Sequence, residues 1–474
     1  LKYTLYLIVL INIMVSIIVI ILERKNPEKT IAWLAIFIVL PPIGLFLYIF
    51  LGRNWKKHKL HDETNINIEE LIYEAMRGSN ACEYSALIEL LSRNSESPLF
   101  RDNSVTIFKD GTEKFKELKK QLLKAKNHIH LEYYIVKSDT IGNEIKDILI
   151  KKAQEGVKIR FILDKVGCIG IKKSYIRDLK DAGVDVVYYS YFLAPFLKYI
   201  NTQINYRNHR KIVIIDGKVG FLGGINIGDE YIGKSKFGYW RDTHIMVKGD
   251  FIYGLQAVFL DDFATIKEAN KELFYYGDNF EEFFPEYDSY DGKLMQLIKS
   301  GPDSEFPAIE QAVLKMISTA KRHVYITTPY FIPTESILNA LKIASLSGID
   351  VIILFPERYD HILVHYASIT YLEDLVRNGV KLYFYNKNAF VHAKTTSVDG
   401  TLCTIGTSNM DIRSYELNYE INAMIYDEEV TEELENLFFE DLKHSRRISI
   451  DYFDNLPPYI KAFEAFCKIF SSLM

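Results

Sequence analysis

Two stretches of this chain repeat one arrangement of reactive side chains. The first reads His209-Arg-Lys211-Ile-Val-Ile-Ile-Asp216 and is followed by Gly223, Gly224 and Asn226. The second reads His392-Ala-Lys394-Thr-Thr-Ser-Val-Asp399 and is followed by Gly406, Thr407 and Asn409. Both fit H-x-K-x4-D-x6-G, with an asparagine three residues after the glycine. A lone H-x-K is noise, but two matched copies are a strong signal. Together they supply two imidazoles, two ammonium groups and two amides, the set that phosphodiester exchange requires. One neutral imidazole can attack phosphorus and form a phosphohistidine. The other, protonated, can donate to the leaving alkoxide. Lys211, Lys394, Asn226 and Asn409 can stabilise charge on the non-bridging oxygens. This chemistry needs no metal and no cofactor, and no metal-ligand cluster is legible.

Strands and tight turns must position these groups. Residues i and i+2 of a strand share a face, so His209 and Lys211 point together, as do His392 and Lys394. Asp216-Gly217 and Asp399-Gly400 are hairpin-turn dipeptides. The returning strands then bring 223–226 and 406–409 back beside the His-Lys pairs. Glycine at 223–224 and 406 lets a backbone or a phosphate approach closely, with Thr407 beside it in the second copy. The motif aspartates Asp216 and Asp399 are candidates for the chemistry or for fixing the turns. Asp242, in YWRD, and Glu420, in ELNYE, are candidates to hold each imidazole in its useful tautomer.

The surrounding sequence is itself duplicated. AKNHIHL (125–131) matches AKRHVYI (320–326), GVKIRFILD (156–164) matches GIDVIILFP (348–356), and AGVDVVYY (182–189) matches NGVKLYFY (378–385). Helical stretches alternate with β-branched strands in each half, which predicts α/β lobes with helix-covered sheets. The expected organisation is a first lobe over 101–290 and a second over 291–474, after a connector over 60–100. The halves differ in one place. Between Gly183 and His209 lie 25 residues, against 12 between Gly379 and His392. The excess contains YYSYFLAPFLKYI (188–200), which could line a bilayer surface or pack as an ordinary loop. The C-terminal stretch 459–470 carries the same ambiguity.

The 474 residues are 48% hydrophobic, with 32 Tyr and 29 Phe, and carry a net charge of −5. Residues 1–59 hold eight Lys/Arg and two Glu, so the rest carries −11. So acidic a body disfavours a polyphosphate duplex, and with it a nuclease. Cys82, Cys168, Cys403 and Cys467 form no CxxC pair, so neither a zinc site nor a disulfide framework is implied. Residues 4–22 and 30–52 are uncharged runs, each long enough for a membrane span of about 20 residues. Joined by ERKNPEK, they predict a transmembrane hairpin over 1–59. No small-x-small cleavage site follows Leu22, which argues against a signal peptide. Five Lys/Arg flank the outer ends of the hairpin and three lie in its turn. The excess predicts a catalytic portion on the cytoplasmic face.

The paired motifs resemble the phospholipase D superfamily. Within it, the chain is similar to the bacterial cardiolipin synthase family in its P-x-x-T-I-A-W-L stretch (Pro27 to Leu34), NHRK, GGIN, WRDTH, TPYFIP, GTSNMDIRS and ELNYEI. That resemblance implies two lobes about a pseudo-twofold axis with one site at their junction. It implies phosphatidyl transfer between two phosphatidylglycerol molecules, a bacterial cell-membrane location, and no nucleic-acid partner. It departs at Gly224, where the superfamily often has Ser or Thr, and at the C-terminal IFSSLM. A phospholipid hydrolase of the same superfamily is the alternative.

Overall fold

The computed structural model describes residues 84–189, 206–269 and 280–469, together with Met14 and Ser471. The expected hairpin 4–22 and 30–52, the insertion from residue 190 onward and most of the connector lie outside the described residues. Among the described residues no helix is long and apolar enough to cross a membrane.

The first half contributes β1 (Phe100–Asp110), β2 (His128–Tyr133), β3 (Lys158–Asp164), β4 (Asp185–Tyr189), β5 (Lys211–Ile215), β6 (Val219–Gly223) and β7 (Tyr239–Gly249). The second contributes β8 (Lys293–Ser300), β9 (His323–Thr327), β10 (Phe331–Ile332), β11 (Asp350–Pro356), β12 (Lys381–Tyr385), β13 (Ala389–Val391), β14 (Thr395–Val398), β15 (Leu402–Gly406), β16 (Met410–Asp411), β17 (Glu420–Tyr426) and β18 (Ser445–Ile448). The first half orders its strands β4-β3-β2-β5-β6-β7-β1, and the second β12-β11-β9-β14-β15-β17-β8. Strand for strand these orders are the same, so the sequence duplication is a structural one. The mixed α/β fold expected from the sequence is present. Antiparallel pairing of β1 with β8 fuses the two halves into one 16-stranded sheet.

Helices cover the sheet because the sequence starts them at defined points. Asp110, Asp139, Thr334 and Asp427 cap the helices Gly111–Lys124, Thr140–Gln154, Glu335–Leu346 and Glu428–Lys443 by accepting a backbone N–H of the first turn. Such caps contribute about 1 kcal/mol each. Strands β2 and β5 are buried at every residue, as expected where helices cover both faces. Each half has its own apolar core. One gathers Phe115, Leu118, Ile129, Phe161 and Phe221, the other Val313, Ile326, Ile353, Leu372 and Met424. Helix Ser85–Asn94 falls in the stretch read from sequence as connector. It sends Leu87, Ile88 and Leu91 into the second core, so residues before the first lobe complete the second.

Candidate active site

Both motif hairpins form as the spacing predicts. Asp216-Gly217 and Asp399-Gly400 adopt positive φ at both residues, 53° and 62°, then 55° and 72°. This is the backbone of a two-residue turn that matches strand twist. Pairing of Ile212 with Leu222, and of Thr395 with Ile405, sets Gly223 and Gly406 beside Lys211 and Lys394.

The two halves then reach across to each other. The His209 N–H donates to the Tyr419 carbonyl at 3.0 Å, and the His392 N–H donates to the Arg241 carbonyl at 2.7 Å. Strand β13, just before His392, runs parallel to β7 at Tyr239–Arg241. The residues after those carbonyls are Asp242 and Glu420. Nδ1 of His209 lies 2.9 Å from both Glu420 oxygens, and Nδ1 of His392 lies 2.8 Å from Asp242 Oδ2. A carboxylate accepts only, so each Nδ1 carries the proton and each Nε2 keeps its lone pair. Each imidazole is therefore oriented by an acid from the opposite half. Spacing alone placed each acid after its own motif and did not show this crossing.

The lysines join the two sets into one electrostatic site. Lys211 Nζ donates to the His209 carbonyl at 2.6 Å, and Lys394 Nζ donates to the His392 carbonyl while lying against the His392 ring, 2.9 Å from Nδ1 and 3.2 Å from Nε2. Burial pushes Lys211 down to about 7, with the Lys394 charge adding to the effect and Glu420 opposing it. Burial likewise pushes Lys394 down to about 8, against Asp242 and Glu420. Both lysines thus sense both carboxylates. Burial also lowers His209 to about 4, against Glu420, and lowers His392, with the neighbouring Lys394 charge reinforcing it. Glu420 stays below its ordinary range. Burial would raise it, but the His209 ring and Lys211 outweigh that. Neutral imidazoles beside ammonium groups suit attack on an anionic phosphodiester.

The structure does not bring Asp216 and Asp399 to the imidazoles. Asp216 accepts the backbone N–H groups of Lys126, Asn127 and His128 at 2.7–2.9 Å, and Asp399 those of Lys321, Arg322 and His323 at 2.7–2.9 Å. Each sits at the far end of its strand, where it fastens the start of β2 or β9. The contacts shown for both fasten the fold, and none of them supports the reading of these aspartates as catalytic. Asp216→Ala is expected to lower stability by about 3 kcal/mol, since three bonds to an ionised acceptor are lost. Thermal unfolding would register that loss, while kcat of the remaining folded enzyme stays unchanged.

The other predicted residues lie at the site with altered duties. Asn226 donates Nδ2 to the Tyr231 hydroxyl at 2.7 Å and accepts the Ile135 N–H at 3.2 Å. Asn409 donates Nδ2 to Ser414 Oγ at 3.3 Å. Each amide retains one further N–H for a ligand. The Thr407 hydroxyl is engaged by the Ile421 backbone, accepting its N–H at 2.9 Å. Gly224 has a steric reason: a Cβ there would lie 2.1 Å from Asp242 Oδ1. The position that carries a threonine in the second half must be bare in the first, because the acid that orients His392 occupies the space. Gly224→Ala is expected to cut kcat at least about a hundredfold, since a displacement near 1 Å can cost that much. A kcat assay beside a melting curve checks that the fold survives.

Several contributors were not legible beforehand. Arg241 donates Nε to Asp441 at 2.8 Å and its NH1 group to the Asp242 carbonyl at 2.8 Å, which steadies the strand bearing Asp242. Ring edges flank the imidazoles: Tyr134 lies 4.9 Å from His209, and Tyr330 lies 6.4 Å from His392. Arg210, between His209 and Lys211, is buried against Asp262. WRDTH and NHRK held the only sequence hint of the two arginines.

Known proteins with similar sequences cover nearly the whole chain. A family model described as "Cardiolipin synthase, PLD-like domain" matches residues 118–236 and 313–442, and a phospholipase D-nuclease N-terminal model matches residues 10–53. The major cardiolipin synthase ClsA of Bacillus subtilis is 40% identical over 98% of this chain and 98% of its own length. The cardiolipin synthase of Halalkalibacterium halodurans is 42% identical over 96% of this chain and 91% of its own. Among solved structures, a phosphatidylserine synthase from Haemophilus influenzae superposes with a TM-score of 0.61 at 13% identity. It covers 82% of this chain and 98% of its own, a likeness of fold.

Proposed function

This chain belongs to the cardiolipin synthase family of the phospholipase D superfamily, and from that premise we propose that its paired imidazoles transfer a phosphatidyl group between two phosphatidylglycerol molecules. The enzyme is a membrane-associated cardiolipin synthase acting on phospholipid. The observation that carries the proposal is the crossed orientation of two imidazoles by Asp242 and Glu420, with both lysines sensing both acids.

The reaction balances with these groups alone. Nε2 of one neutral imidazole attacks the phosphorus of the first phosphatidylglycerol. The bond from phosphorus to the headgroup glycerol breaks, and the other imidazole, which takes up a proton on Nε2 when the anionic phosphodiester and the carboxylate behind its Nδ1 lie on either side of it, gives that proton to the departing oxygen. Glycerol leaves and a phosphatidyl-histidine remains. The headgroup hydroxyl of a second phosphatidylglycerol then surrenders its proton to the second imidazole and attacks phosphorus. The phosphorus–nitrogen bond breaks and cardiolipin is released. Lys211, Lys394 and the free amide N–H groups of Asn226 and Asn409 hold the non-bridging oxygens. The runs 4–22 and 30–52 anchor the enzyme as a two-span hairpin with the catalytic part on the cytoplasmic face. The excess of flanking Lys/Arg and the match over residues 10–53 support this.

The lysines set the alkaline limit. A lysine lowered by burial is cationic below its shifted value and neutral above it, so raising the pH through about 7 to 8 discharges Lys211 and then Lys394. The value of kcat/KM, which reports the free enzyme, is expected to fall across that window instead of near 10.5. The bound phosphodiester anion favours charged lysines, so the kcat limb should lie at higher pH. Incubating purified protein with phosphatidylglycerol tests the reaction itself. Cardiolipin and glycerol in equal amounts are expected; phosphatidic acid without cardiolipin would reject transfer in favour of hydrolysis.

A further inference from the structure

Parallel strands end where the site lies, and the loops leaving two of those ends are unusual. β3 runs parallel to β2, and β11 parallel to β9. These are equivalent strands of the two halves. After β3 comes Lys165-Val-Gly-Cys-Ile169-Gly-Ile-Lys172-Lys173, a stretch without an acid. Ile169 is 85% exposed at its tip, and Lys172 and Lys173 are exposed beside it. After β11 come Tyr359 in the connecting bend and Ile362 and Leu363 at the start of the helix Ile362–Arg377, all more than 40% exposed. Single exposed apolar residues are ordinary, and others such as Leu346 occur elsewhere on the described surface; these stand out because they follow equivalent strands of the two halves.

Each loop is tied to one histidine. Asp164, at the end of β3, accepts the Val166 and Gly167 N–H groups with one oxygen and the Asn208 N–H, next to His209, with the other. Cys168 Sγ donates to the Tyr134 carbonyl at 3.4 Å, and the Tyr134 ring edges His209. On the other side the Tyr330 hydroxyl donates to Asp360, and the Tyr330 ring edges His392. Each segment is therefore linked through a tyrosine to its own imidazole.

From this placement we infer that the segments 165–173 and 357–363, each a loop running into the first residues of a helix, form a two-pronged docking rim that seats the two imidazoles on an anionic lipid bilayer. The inference rests on the phospholipid reading above and adds the surface by which the substrate is met. Charge supports that occupant at the first prong, where a basic, acid-free stretch stands on a body that is net acidic beyond residue 59; at the second, Glu357 is paired with Arg446 and Asp360 accepts the Tyr330 hydroxyl, and lysines beside an exposed apolar tip suit anionic headgroups. The headgroup phosphorus of a seated bilayer lies nearest the two imidazoles.

Full-length protein in vesicles of phosphatidylglycerol and phosphatidylcholine tests the rim. Cys168, Cys403 and Cys467 are buried, so in a Cys82→Ser background an environment-sensitive label can be placed singly at Ile169→Cys, Ile362→Cys or Leu346→Cys. Leu346 is equally apolar and 71% exposed, but it precedes β11 and so lies toward the opposite end of the strands. Lipid carrying a quencher on its acyl chain is expected to quench the labels at 169 and 362 about twofold and to leave 346 bright, because interfacial apolar residues enter the acyl boundary. Quenching at only one loop, at neither, or equally at 346 overturns the rim. In addition, Ile169→Asp with Ile362→Asp should slow turnover of vesicle phosphatidylglycerol about tenfold, yet leave turnover of a monomeric short-chain phosphatidylglycerol unchanged. Equal loss on both substrates contradicts docking. Quenching needs no turnover, so an enzyme that makes no cardiolipin but shows the pattern rejects the reaction and keeps the rim.

Discussion

His209→Ala is expected to lower cardiolipin formation by at least about ten-thousandfold, and His392→Ala equally, because neither half of a double displacement proceeds without its nucleophile or its proton donor. The two losses should not add. Residues that act as one unit are lost together, so the double variant is expected to be no worse than either single one. Product formed by purified protein from phosphatidylglycerol provides the measurement, with unfolding curves showing that each variant retains its fold. Substantial turnover in either single variant would contradict a mechanism that uses both rings on one phosphorus.

The second large effect concerns the acids. Asp242→Asn and Glu420→Gln are each expected to reduce kcat about a thousandfold or more, because an amide beside Nδ1 no longer requires a proton there and releases the useful tautomer. KM should change little, since both acids face imidazoles. The crossing adds a consequence. Asp242 belongs to the first half but orients the histidine of the second, and Glu420 does the reverse. Neither half contains a complete histidine–acid pair. Duplication here has produced a single site, and the parallel pairing of β13 with β7 is the structural expression of that dependence.

Much of this was legible in the sequence because it is local. Period-two strands, Asp-Gly turns and the x6 spacing back to glycine fix which side chains stand beside Lys211 and Lys394. The repeat of AKNHIHL in AKRHVYI marks equivalent strands. What escaped was nonlocal. No spacing rule shows that the strand holding Asp242 lies against the other half's histidine, since 150 residues separate Asp242 from His392. The same limit hid helix Ser85–Asn94 inside the second core and the fusion of both halves through β1 and β8. Asp216 and Asp399 show the opposite hazard. They share a motif with the reactive residues, yet the strands β5 and β14, of five and four residues, span about 13 to 16 Å and carry each aspartate to the other end. Their three backbone bonds apiece explain why the pattern includes them. Gly224 was visible only as a departure, and its reason emerged once Asp242 was seen to fill the space.

In the proposed transfer one phosphorus passes through a covalent bond to one of the two imidazoles. Rapid acid-free quenching of the enzyme during turnover of phosphatidylglycerol labelled at phosphorus, followed by peptide mapping, addresses it most directly. Label is expected on the ring nitrogen of His209 or of His392, one ring only, with none in the variant lacking that ring. Cardiolipin production with no labelled histidine at any time, or with label on a different residue, would contradict it.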